Sequence, residues 1–164
     1  MVEVKIAGIQ VNLMSNHRVV LLKEVDSDRY LMIWIGPFEA EAINIKLQEV
    51  DYPRPLTHDL MRNVIGTLGA EVEQVVVTEL RDDTFYARII LTVEGEYVDI
   101  DARPSDAMAL AVRTEAPIFV ADEVMEQAGV IPEKDLMAEG VTEEESSAFD
   151  DFLDNLDIDD LPIH

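Results

Sequence analysis

The chain has 164 residues, 48% of them hydrophobic, which is enough for one domain with a real core and a short appendage. It contains no cysteine, which excludes a disulfide scaffold, a thiolate zinc site and a cysteine nucleophile and suits the cytoplasm. Thirty-five acids against 12 lysines and arginines give a net charge of −23, so the surface as a whole cannot grip phosphate backbones.

That charge is unevenly spread. Residues 133–164 hold twelve acids and one lysine, so the tail carries a net −11 and the body −12. Any nucleic-acid chemistry therefore needs bound cations or a locally basic groove. The opening "MVEVKIAGIQ" lacks the basic region and long apolar run of a signal peptide. "LMIWI" and "AMALAV" are too short to span a bilayer. These features predict a cytoplasmic protein with no membrane association.

Val2, Val4 and Ile6 alternate with polar residues and predict an N-terminal strand. "RVVLLKE" and "RYLMIWIG", separated by the turn-forming Asp26, Ser27 and Asp28, read as an antiparallel hairpin. Gly36-Pro37 ends it, and Pro37 suits the first turn of a helix reaching to Val50. "DYPRP" stops that helix. A second helix is expected over 58–68, with Leu60, Val64, Ile65 and Leu68 as its apolar face and Gly69 as the C′ glycine. "EVEQVVVTEL", "TFYARIILTV" and "YVDID" follow as strands joined by tight turns. Ser105 to about Arg113 is a helix apolar on nearly all sides, hence buried. "APIFV" is a short buried strand, and 122–128 a short helix.

The texture changes at Ile131. Residues 1–132 form the predicted domain, and 133–164 an acidic linker followed by a short tail helix. That helix has one apolar stripe of Phe149, Phe152, Leu153 and Leu156. The expected fold class is α+β: a mixed, largely antiparallel sheet with three to four helices, plus the C-terminal acidic amphipathic helix.

Two segments echo each other, "RPLTHDL" from Arg54 and "RPSDAMAL" from Arg103. Helix capping accounts for much of both: Thr57 and Ser105 as N-caps, Asp59 and Asp106 in the first turns, and Leu56 stapling onto Met61. Arg54, His58 and Arg103 are left over. The alternative is a phosphodiester-cleaving centre. Asp59 and Asp106 would hold Mg²⁺ or Mn²⁺, Arg54 and Arg103 would bind substrate phosphate, and His58 would transfer protons alongside the catalytic Asp59 and Asp106. Glu39, Glu41, Asp99 and Asp101 are acidic candidates more simply explained as solvated. There is no Gly-rich phosphate loop, GxSxG elbow, HExxH or EF-hand loop.

"YLMIWIGPFEAEAI", "RPLTHDLMRNVIGTLGAEVEQVVV", "DDTFYARIIL", "DARPSDAMALAVRTEAPIFV" and "EVMEQAGV", in unbroken order over about residues 2–132, resemble the bifunctional nuclease domain family. Met32 departs from the proline expected in its strand. The resemblance implies an α+β fold, a homodimer or higher homo-oligomer, and cleavage of both DNA and RNA with little sequence preference. The competing expectation is a non-enzymatic regulatory module that binds a protein partner through its acidic tail.

Overall fold

The computed structural model describes residues 1–11 and 17–132, so the expected tail helix lies outside the described residues. Among the described residues, seven strands and four helices make an α+β fold. The strands are β1 (Val2–Val11), β2 (Arg18–Glu24), β3 (Tyr30–Ile35), β4 (Ala70–Arg81), β5 (Thr84–Val93), β6 (Glu96–Ala102) and β7 (Ile118–Val120). The helices are α1 (Pro37–Leu47), α2 (Thr57–Thr67), α3 (Pro104–Thr114) and α4 (Asp122–Ala128).

One mixed sheet runs in the order β3-β2-β1-β7-β4-β5-β6. It consists of two antiparallel meanders, β1–β3 and β4–β6, spliced by β7. Ile118–Val120 pair antiparallel with Val2–Val4 and parallel with Val75–Val77. Register shifts interrupt β1 at Ile6/Gly8 and β4 at Val72/Gln74 and Val77/Glu79. Such bulges bend a strand and increase its twist.

Against this sheet lies α3, whose Ala107, Met108, Ala109, Leu110 and Ala111 are all at most 1% exposed. Both α1 and α2 pack on α3, so the apolar helix is the hub of the helical layer. It shares one hydrophobic core with Val20, Leu22, Ile33, Val75, Val77 and Phe85. Burial of each such side chain stabilises by about 1.5–3 kcal/mol, which explains why the all-apolar segment sits in the middle.

Three local expectations need correction. Thr57 is the first helical residue of α2 and Leu56 is the N-cap; the Asp59 carboxylate reaches back to the Leu56 N–H at 2.9 Å, setting the start one residue early. In α3 the N-cap is Arg103, because Pro104 takes the first helical position, where its missing N–H does no harm. Ser105 is therefore inside the helix, fully buried, and its Oγ has no hydrogen-bond partner among the described residues. On α2, Leu60, Val64 and Leu68 face solvent at 56%, 47% and 75% exposure. The inward face holds His58, with Met61 and Ile65 partly buried.

Candidate functional site

Two polar assemblies meet on the helical layer. The first joins α1, α2 and α3 through four side chains. Arg103 donates through Nη2 to Glu39 Oε1 at 2.7 Å and through Nε to Asp106 Oδ2 at 2.8 Å. The other oxygen of Asp106 lies 2.9 Å from Nε2 of His58, a buried residue. Glu39 belongs to the third position of α1 and folds back over Gly36, where a side chain would strike its carboxylate. The hydrogen bond from His58, opposed by burial and reinforced by Arg103, holds the Asp106 carboxyl below the usual range, so it stays ionised. A carboxylate fixed on one imidazole nitrogen orients the ring and favours one tautomer. That is the arrangement a proton-transfer histidine needs.

The second assembly surrounds a cleft of about 340 Å³ between the end of α1, the 48–56 segment and α2. Lys46, Arg54, Arg62 and Arg113 line it together with Asp51 and Asp59. Four of the 12 lysines and arginines of a −23 chain thus converge on one depression. Neither Arg54 nor Lys46 makes an ion pair or side-chain hydrogen bond among the described residues. Arg113 differs: its side chain is 1% exposed, with Nε donating to Asp59 Oδ1 at 2.7 Å and Nη1 to the Ala109 carbonyl at 2.8 Å. Burial alone would raise the Asp59 carboxyl, but the Leu56 N–H, Arg113 and Arg62 outweigh it and leave its pKa lowered.

The residues expected at the site therefore divide. Arg54 and Asp59 line the cleft; His58, Arg103 and Asp106 form the adjoining network. Asp106 stands on α3 itself, whereas Asp59 is paired with Arg113, seven residues further along the same helix, about 10 Å along its axis. Both oxygens of each carboxylate already meet a donor. Among the described residues no group of three or more His, Asp or Glu side chains is arranged to hold a metal ion. Asp51, which is exposed, is the other carboxylate lining the cleft. Asp99 and Asp101 lie on the exposed edge strand β6 and join none of the hydrogen bonds of either assembly.

Sequence reasoning missed Arg113, Arg62 and Lys46 as parts of the cleft, and weighed Glu39 without finding its contact with Arg103. Arg113 carried a signal: it is the lone cation closing an otherwise apolar helix, and such a charge needs a buried partner. Lys46 and Arg62 carried none, because ordinary helix surfaces hold such residues.

Comparison with known proteins decides the family. The Bifunctional nuclease domain matches residues 20–133, well over half of the chain. The chain belongs to the bifunctional nuclease domain family. An uncharacterized protein of Mycobacterium tuberculosis is 42% identical over 162 residues, covering 97% of each chain. Bifunctional nuclease 1 of Oryza sativa subsp. indica is 31% identical over 108 residues, which is 64% of this chain and 33% of the rice protein. Bifunctional nuclease 1 of Arabidopsis thaliana is 30% identical over 108 residues, with 63% and 33% covered. The chain thus spans about a third of the length of these plant relatives. Every residue of both polar assemblies falls inside the matched bifunctional nuclease domain. Among the described residues no helix is long and apolar enough to cross a membrane.

Proposed function

We propose that this domain is a cytoplasmic nuclease that hydrolyses phosphodiester bonds of DNA and RNA with little sequence preference. The observation that carries this reading is the convergence of Lys46, Arg54, Arg62 and Arg113 on one cleft of a strongly acidic protein. Cations gathered against the net charge are what a bound phosphate requires. Arg54 and Arg62 hold the phosphate, and Arg113 fixes Asp59 at the cleft wall. His58, oriented by Asp106, moves the proton; Arg103 holds Asp106 and belongs to the phosphate-binding set only through that contact.

Mg²⁺ or Mn²⁺ belongs to the proposal. Asp51, the cleft carboxylate with no ion pair or hydrogen bond among the described residues, would supply a ligand, and Asp59 would join it only by giving up its Arg113 or Leu56 contact. The ion would there help to neutralise the phosphate's charge. The test is cleavage of labelled single-stranded DNA and RNA with either ion and with chelator, in the wild type and in Arg54→Ala/Arg62→Ala. Loss of at least about tenfold in the double variant is expected for two phosphate contacts. Wild-type rates in that variant, or no cleavage by the intact chain, overturn the reading.

The solvent-facing Leu60, Val64 and Leu68 of α2 favour a second reading, self-association or docking without catalysis. Sedimentation of the wild type against Leu60→Lys/Leu68→Lys tests the homo-oligomer: an unchanged mass removes that face from consideration.

A further inference from the structure

We propose that the cleft is a subsite for one unpaired nucleotide, with the phosphate on Arg54 and Arg62 and the base stacked on Tyr52. This deepens the nuclease reading and rests on its assignment of the cleft to phosphate.

The size is the first argument. At about 340 Å³ the cleft stands at the small end of ligand sites, roomy for an inorganic phosphate and matched to a single nucleotide. Its lining is the second. Lys46, Arg54, Arg62 and Arg113 supply its cations, Ile45, Val50, Tyr52, Pro53 and Pro55 its apolar and aromatic lining, and Asp51, Asp59 and Asn63 the remaining polar groups. A ligand with a charged end and a flat apolar end satisfies both the cations and the apolar lining. Tyr52 is 50% exposed, so its ring still has a face to offer.

The third argument is stiffness. Pro53 and Pro55 have fixed φ, and each also restricts the residue before it, Tyr52 and Arg54. The four-residue run that presents the ring and the guanidinium is therefore confined before any ligand arrives, and little entropy is lost on binding. A base inside a duplex has both faces covered by its neighbours, so only single-stranded or terminal nucleotides can use the ring.

The test is an NMR titration of the full chain with AMP, adenosine, inorganic phosphate, and short single- and double-stranded DNA of one sequence. Shifts should centre on Tyr52, Arg54 and Arg62. AMP and the single strand should bind about tenfold more tightly than adenosine, phosphate or the duplex, the scale of one stacked base. Tyr52→Ala should weaken AMP about tenfold and leave phosphate unchanged, while Tyr52→Phe should retain wild-type binding. Phosphate binding as tightly as AMP, duplex matching single strand, an unaffected Tyr52→Ala, or shifts on another face would each overturn the subsite. Separate cleavage assays distinguish the two readings. AMP binding with no strand cut removes the nuclease and leaves the subsite. Strand cutting with AMP binding indifferent to Tyr52 does the reverse.

Discussion

Replacing Asp59 by alanine strands a buried cation. Arg113 keeps its Ala109 carbonyl, but its Nε loses a carboxylate at 2.7 Å in a place where its side chain is 1% exposed. Removing one partner of a buried ion pair costs about 3–5 kcal/mol. Asp59 itself is 27% exposed and the cleft admits water beside it, so the low end applies, about 3 kcal/mol. Loss of the reach-back to the Leu56 N–H adds about 0.5–1 kcal/mol. For a domain of this size the sum corresponds to a fall of about 10 °C in Tm.

Arg113→Met should be milder, about 1 kcal/mol, because the surviving carboxylate keeps Leu56 and gains water. The Asp59→Ala/Arg113→Met double variant should then be more stable than Asp59→Ala alone, since no charge is left buried. Urea unfolding followed by circular dichroism at constant m-value measures all three. A loss below about 1 kcal/mol in Asp59→Ala, or a double variant no more stable than that single, refutes the claim that Arg113 depends on Asp59.

Further outcomes follow from the same contacts. Glu24, held low by Arg29 and Ser27, Asp59 and Asp106 all have lowered pKa values, so their stabilisation is present above the unfolded carboxyl value and is lost as pH falls through the folded one. Stability should accordingly drop below about pH 4, and Asp59→Asn should flatten that drop; an unchanged slope would exclude Asp59 from it. His58→Gln should lower kcat by about a hundredfold or more with KM nearly unchanged, and wild-type kcat would remove His58 from proton transfer. Truncation after Pro132 removes a net −11 and should raise cleavage at low salt severalfold; equal rates would show that the tail does not repel substrate.

The hairpin of β2 and β3, the buried α3 and the C′ glycine at Gly69, with φ of 77°, were legible because each depends on local pattern. The helix starts were half legible. Thr57 and Ser105 have the right chemistry for caps, but Asp59 and Pro104 shifted both helices earlier. The α2 face was misjudged because α2 has two adjacent apolar stripes, and hydropathy cannot choose between them. Contacts of His58 and Asp59 with α3 chose the other one. The cleft was the least legible part. Lys46, Arg54 and Arg62 meet only because the 48–56 segment and α2 border the same cleft as the end of α1, and no periodicity encodes that meeting.

The three-residue β7 also dictates an order of assembly. During synthesis β1 and β4 emerge long before Ile118–Val120, the segment that pairs with both. Until then, two half-sheets stand with their inner edges open at Val2–Val4 and Val75–Val77. Open apolar edges are templates for pairing with another chain. The nascent protein is thus most prone to aggregate just before its shortest strand leaves the ribosome, and a chain cut ahead of residue 118 keeps both edges exposed for good.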